Sequence, residues 1–235
     1  GAIFFSGCSL RCVYCQNYEI SSLKNGKEIS VQRLAEIFKE LEKSGAENIN
    51  LVNPTHYVSQ IEEALKIYKP SIPIVYNSHG YESEETIKKV AKFCDIFLPD
   101  FKYFDNDIAL RYSGAKDYVE VCKKTLKLMR QLKQDKFNGD KMISGVLIRH
   151  LILPLQTDDS IKILDWIKHN LPSTKVSLMS QYTPYGRANE FKEINRKITK
   201  REYDKVVNSY LNLGLDGYIQ DRESANCVYI PKWDY

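Results

Sequence analysis

Apolar residues along this chain fall into two alternating rhythms. Short runs of β-prone residues read as strands: Ala2-Ile3-Phe4-Phe5, Ile49 to Val52, Ile74-Val75-Tyr76, Asp95 to Leu98, Val146 to Leu153 and Val176 to Met179. Between them the apolar positions step by three or four, as on one face of a helix. Val31, Leu34, Ala35, Phe38 and Leu41 form one such face, and Val58, Ile61, Leu65 and Tyr68 a second. Ile87, Val90 and Ala91 follow, then a long stripe from Tyr118 through Val121, Cys122, Leu126 and Met129 to Leu132, then Ile161, Leu164 and Ile167. The punctuation agrees: Ser30 and Ser83 read as helix N-caps, Gly45 as a stop, and Thr199-Lys200-Arg201-Glu202 as a capping box opening a last helix. The stretch between Lys102 and Tyr118 reads as irregular, and the tail after Gly217 carries no assignable pattern.

Six β-then-α units without repeat or linker predict a parallel α/β sheet in one domain, residues 1–235. Crossovers of this kind are right-handed, so the chain either curls into a partial (β/α)6 TIM-like barrel or winds on both faces of an open sheet. Polar residues gather after four of the strands, at Cys8 to Cys15, Asn53 to His56, Asn77 to Gly80 and Asp100 to Lys102. Barrel enzymes place their sites at that C-terminal face, which favours the barrel.

Composition narrows the class. With 43% hydrophobic and 27% charged residues the chain is of ordinary globular make-up. No apolar run approaches the roughly 18 residues of a membrane span. The net charge of +4, from 34 basic and 30 acidic residues interspersed, is too balanced to point to nucleic acid. Neither a membrane nor a nucleic-acid partner is therefore expected, and a cytoplasmic location is. The chain starts at Gly1 rather than Met, so a processed, trimmed or partial product is expected.

Six cysteines change the picture most. Cys8, Cys12 and Cys15 crowd one loop, which suits a metal site in a reducing compartment better than a disulfide framework. A structural zinc wants four protein ligands, whereas three thiolates leave a metal or cluster one open position. Two readings stand: an iron–sulfur cluster on the three thiolates, or a zinc loop completed by a remote residue such as His56. Cys122 on its helical stripe and Cys94 before a strand read as small buried hydrophobes, and Cys227 is unassigned.

The spacing CxxxCxxC with Tyr14 before the third cysteine resembles the signature of the radical S-adenosylmethionine (SAM) superfamily. Ile3-Phe4-Phe5-Ser6-Gly7-Cys8 through Gln16-Asn17 is similar to pyruvate formate-lyase activating enzyme and its largely uncharacterised homologues, the likeness fading after Tyr185. The resemblance implies a 4Fe-4S cluster held by Cys8, Cys12 and Cys15, with SAM on the fourth iron. It implies reductive SAM cleavage and hydrogen abstraction by a 5'-deoxyadenosyl radical. It also implies an electron donor such as flavodoxin or ferredoxin, and a glycyl-radical enzyme or another protein or peptide as substrate. Homologues of this kind often carry a cysteine-bearing segment before the position of Gly1.

The resemblance extends to single residues. Tyr14 would lie beside the adenine through its backbone, its ring either joining it or packing on the barrel. Asp100-Phe101-Lys102 matches an Asp-x-Lys element near the SAM methionyl group and a monovalent cation, and Asn77-Ser78 falls where an Asp-Thr pair serves that cation. SAM's carboxylate asks for positive charge from the cation, Lys102 or Arg149. The bland reading makes Lys102 a solvated lysine and Arg149 a strand arginine paired for structural reasons. Where relatives carry a glycine-glycine-glutamate element that meets SAM's amino group, this chain has Asn53-Pro54-Thr55-His56. Oxygens of Asn53 and Thr55 are candidates for that role, and His56 either reaches the substrate or is structural. Tyr182 stands where activating enzymes tend to have a histidine near SAM. These departures keep two alternatives in view: a radical SAM enzyme acting on a small molecule or other peptide, and a non-catalytic zinc or electron-transfer module.

Overall fold

A computed structural model of the chain describes residues 1–224 and 233. Among the described residues eight strands form one sheet: β1 (Ala2–Phe4), β2 (Ile49–Val52), β3 (Ile74–Ser78), β4 (Ile96–Pro99), β5 (Lys136–Asn138), β6 (Lys141–Leu151), β7 (Lys175–Met179) and β8 (Gly217–Ile219). The helices are α1 (Tyr18–Ser21), α2 (Val31–Lys43), α3 (Val58–Ile67), α4 (Glu84–Val90), α5 (Asn106–Ser113), α6 (Tyr118–Leu132), α7 (Thr157–Asn170) and α8 (Lys200–Asn212). Strand order in space is β1-β2-β3-β4-β6-β7-β8, all parallel, with β5 antiparallel on the outer part of β6. That order never reverses. A doubly wound sheet has a switch point where it does, so this sheet winds one way, as a partial barrel open between β1 and β8.

Among the described residues the predicted elements recur with four additions, α1, β5, α5 and β8. Residues 106–113, read as irregular, are a helix: Asp105 accepts from the N–H groups of Asp107 and Ile108, and Gly114 closes it in the left-handed region at φ +70°. The parallel strands number seven rather than six, because three residues at 217–219 pair with β7. There Gly217 lies so close to Val176 that any side chain would collide with its backbone, at 2.2 Å from the carbonyl oxygen. The Ser30, Ser83 and Thr199 caps form as expected, the last as a full capping box with Glu202.

All five residues of β3 are buried, as a strand covered on both faces requires. Phe38, Ile61, Ile87, Phe97, Leu126, Val146, Ile163 and Val176 join strands to the helical layer in one core. Cys94 and Cys122 are buried within it. Gly80 lets the exit of β3 touch that of β4: at φ +74°, a side chain would sit 2.3 Å from the Asp100 carbonyl oxygen. Cys227 lies outside the described residues. No described helix is long and apolar enough to cross a membrane.

Candidate cofactor site

The cysteine loop is pinned from three directions. Gly7, at φ +83°, turns the chain out of β1 and donates its N–H to the Ile20 carbonyl (2.8 Å). The Asn53 side-chain amide donates to the Gly7 carbonyl, and its own N–H goes to the Asn77 carbonyl (2.8 Å), so the β2 exit holds loop and β3 together. From the far side α5 accepts two backbone bonds, Arg11 N–H to Ser113 O (3.0 Å) and Val13 N–H to Tyr112 O (2.9 Å). The helix that the hydrophobic pattern missed is the one on which the loop hangs.

Cys8, Cys12 and Cys15 are half-buried and line one open-mouthed cavity of about 110 Å³. Burial pushes the Cys8 thiol up to about 12, with the other two cysteines adding to it. Burial likewise lifts Cys12 to about 11 against the pull of Lys102. Ser113 Oγ donates to Cys12 Sγ (2.9 Å), and Ser21 Oγ lies 3.2 Å from Cys15 Sγ. Among the described residues no three cysteine, histidine or carboxylate side chains converge as a single metal ion would require. Three soft sulfurs spread around a cavity, two with hydroxyl partners and a cation nearby, suit a polynuclear iron–sulfur cluster.

Opposite the thiols stands a second group. Asp100 Oδ2 accepts from Lys102 Nζ (2.6 Å), and Asp100 Oδ1 lies 2.7 Å from Arg149 Nη2. Arg149 Nη2 also donates to Asn77 Oδ1 (2.7 Å), while its Nε is buried with no hydrogen-bond partner among the described residues. Burial works against the Asp100 carboxylate, yet Arg149 and Lys102 hold it below its ordinary range. Burial also works against the Lys102 ammonium, and Asp100 reverses that, lifting it to about 12. Two cations share one carboxylate, leaving a surplus positive charge and a free guanidinium donor for an anionic ligand. Each Asp100 oxygen faces a protein cation.

Nine of the thirteen sequence candidates thus line one cavity: the three cysteines with Asn53, Asn77, Ser78, Asp100, Lys102 and Arg149. Four lie elsewhere. Thr55 donates its hydroxyl to Glu82 (2.8 Å) and accepts from Tyr76 (3.2 Å), which ties it into a buried network. His56 is exposed on a one-turn 3-10 segment. The Tyr14 ring is in the core, its hydroxyl 2.5 Å from that of Tyr103, leaving its backbone for any ligand. Tyr182 is core as well, donating to the Ile194 carbonyl (2.7 Å) and packed edge-on to Tyr14. The resemblance to activating enzymes suggested a ligand contact for Tyr182; its side chain folds inward instead.

Sequence reasoning left out one residue that lines the cavity, His79, and a second that sits behind it, Glu82. His79 lines the cavity, accepts from Tyr81 N–H through Nδ1 (3.1 Å), and so presents Nε2–H to Ser9 Oγ (3.0 Å) in the cysteine loop. Burial and Lys102 push its pKa down to about 3, so the ring is neutral. Glu82 sits 3.7 Å from the same ring, and burial lifts its carboxyl to about 8 against hydrogen bonds from Thr55, Ser78 and Tyr76. The polar run Asn77-Ser78-His79 was the available signal for His79. None marked Glu82, which is buried.

Comparison with known proteins gives three findings. The sequence model of the radical SAM superfamily matches residues 2–167. An uncharacterized protein of Methanocaldococcus jannaschii is 32% identical over 91% of this chain and 62% of its own length, and the pyruvate formate-lyase-activating enzyme of Clostridium pasteurianum is 25% identical over 89% and 88%. Among solved structures, Streptococcus suis SuiB bound to the precursor peptide SuiA superposes with a TM-score of 0.63 at 14% identity, covering 94% of this chain and 48% of that one. The chain spans less than two thirds of the archaeal relative and about half of SuiB.

Proposed function

The chain belongs to the radical SAM superfamily, and from that premise we propose that it is a one-domain radical SAM enzyme of activating-enzyme type, acting on a protein or peptide. One observation carries the reading: three cysteines and a surplus-positive Asp100–Lys102–Arg149 group meet across a single cavity at the C-terminal face. Cys8, Cys12 and Cys15 hold a 4Fe-4S cluster. Lys102 and the free Nε of Arg149 take the SAM carboxylate, while Asn53, Asn77 and Ser78 offer oxygens to its amino group. Tyr14 meets the adenine through its backbone. When bound, the two groups supply reductive cleavage of the SAM carbon–sulfur bond and a 5'-deoxyadenosyl radical, which takes a substrate hydrogen.

The chain's own residues do the rest. Asp100 fixes both cations before ligand arrives, so little reorganisation accompanies binding. Leu10, Phe5 and Ile20 wall the cavity with apolar surface and keep water from it. A monovalent cation beside Asp100 requires one of the two side chains to swing away. The electron comes from a small one-electron carrier such as flavodoxin or ferredoxin.

Likeness to an activating enzyme supports a backbone glycine of a glycyl-radical enzyme as the hydrogen donor. A small molecule or a different peptide is the second reading, favoured because Thr55 is tied to Glu82 and the β2 exit is built differently from that of activating enzymes. The test is anaerobic: reconstitute with iron and sulfide, reduce, add SAM, and follow 5'-deoxyadenosine with and without a glycine-loop peptide. Formation of 5'-deoxyadenosine, lost in Cys12→Ala, supports the enzyme; transfer of deuterium from the labelled peptide glycine supports the substrate. A clustered protein that never cleaves SAM, with or without peptide, refutes the catalytic reading.

A further inference from the structure

Beneath Cys12 lies a row of hydroxyls that binding of SAM does not use. Ser113 Oγ is 2.9 Å from Cys12 Sγ, Tyr103 Oη is 2.6 Å from Ser113 Oγ, and Tyr14 Oη is 2.5 Å from Tyr103 Oη. All three residues are buried, Ser113 and Tyr103 at 1% exposure and Tyr14 at 6%. In a dry interior each hydroxyl proton needs an acceptor. Tyr103 is the one partner seen for the Tyr14 hydroxyl among the described residues. Only one direction then leaves no proton stranded: Tyr14 donates to Tyr103, Tyr103 to Ser113, and Ser113 to the sulfur. Aligned hydroxyls polarise one another, so the last donor in the row is stronger than an isolated serine.

The three cysteines are unequal in this respect. Cys15 has the lone Ser21 hydroxyl at 3.2 Å, with no further hydroxyl behind it among the described contacts. Cys8 has no side-chain hydroxyl partner among the described residues. The row thus singles out one sulfur. Its placement follows from the fold: α5 ends at Ser113 because Gly114 turns left-handed, and the same last turn accepts the backbone of Arg11 and Val13 on either side of Cys12.

Resting on the cluster reading above, we propose that Ser113, backed by Tyr103 and Tyr14, is a positioning residue that sets the reduction potential of the cluster through its hydrogen bond to Cys12. An added electron makes the ligating sulfur a better acceptor, so a donor hydrogen bond stabilises the reduced state more than the oxidised one. No bond is made or broken and the proton stays on Ser113. The electron is supplied by an external one-electron reductant, dithionite in the test.

The test is an EPR-monitored redox titration of the reconstituted full chain and its S113A, S113T and Y14F variants, each first assayed for iron and sulfide. In S113A the reduced-to-oxidised ratio at a fixed solution potential is expected to fall roughly tenfold, a shift of about 59 mV to more negative values for a one-electron couple. S113T, which keeps the hydroxyl, is expected to restore most of it. Y14F removes only the far end of the row, and a smaller shift of the same sign is expected with Ser113 untouched. An unchanged potential in S113A overturns the inference, and so does an equal shift in S113A and S113T, which would mark a packing effect. If S113A assembles no cluster, Y14F decides: a negative shift supports the row, and none refutes it. Failure of the parent chain itself to hold iron and sulfide overturns the cluster reading and this inference together.

Discussion

The two halves of the barrel mouth both carry polar residues at their strand ends and turn them to opposite uses. At the C-terminal ends of β2, β3, β4 and β6, Asn53, Asn77-Ser78-His79, Asp100, Lys102 and Arg149 turn their polar groups on a shared cavity. Behind β7 and β8 they turn on each other. Gln220 accepts from the N–H groups of Ser180 (3.0 Å) and Gln181 (3.2 Å) through Oε1 and donates to the Gln181 side chain (3.0 Å), while Tyr182 closes on Ile194. A polar residue after a strand is therefore a site only where its bonding capacity is left open. The unpaired Arg149 Nε marks the open side.

The largest blow to the open side is Cys12→Ala, expected to abolish cluster assembly, read as loss of bound iron and of 5'-deoxyadenosine. Next comes Asp100→Asn, which leaves Lys102 and Arg149 facing each other across a partly buried site. A loss of about 2–3 kcal/mol in unfolding free energy is expected, seen as a lower urea midpoint at unchanged slope. SAM affinity measured by calorimetry should fall as well, because the cations lose their anchor.

Glu82 sharpens the comparison through pH. Its folded carboxyl titrates near 8, above the ordinary unfolded value, so its contribution is fully present at acid pH and is lost as pH rises. The parent should lose up to about 1.4 kcal/mol per pH unit between roughly pH 4.5 and 8, and Glu82→Gln should flatten that slope. Equal slopes in the two proteins would show that Glu82 is ionised when folded. The sealed side predicts smaller and purely structural effects. Gln220→Ala should cost about 1–2 kcal/mol and Tyr182→Phe about 1 kcal/mol, each by leaving buried backbone groups unpaired. Neither should move SAM affinity; a tenfold change from Tyr182→Phe would put that side chain in the site after all.

What could be read from the sequence follows the same division. Strands β1 to β4, β6 and β7 announced themselves through apolar runs, and their helices through Ser30, Ser83 and Thr199 caps, because those signals are local. Helix α5 was hidden by its shortness: eight residues present only Ala109, Tyr112 and Ser113 to the interior, too few for a period to show. Its Asp105 cap and Gly114 stop were legible signals. Strand β8 is three mostly exposed residues and depends on Gly217 lying against Val176, a contact no pattern along the chain reveals. The β5–β6 hairpin had a signal in Asn138-Gly139, a common turn pair. Within the site, the cysteine spacing carried its own meaning, whereas the burial of Glu82 and the neutrality of His79 arise only when β2, β3 and β4 are side by side.

The pairing of β4 with β6 has a further consequence on the clock of protein synthesis. Asp100 and Arg149 meet because the chain bridges there, Phe101 N–H reaching the Arg149 carbonyl (2.9 Å). Cys8 and Arg149 stand about 140 residues apart, so at about 5–20 residues per second the ribosome releases the thiols roughly 7 to 28 seconds before their facing cation. During that interval the cavity wall opposite the three sulfurs still lacks Arg149. The order in which the strands are made thus brings out the thiols before the wall that faces them is complete.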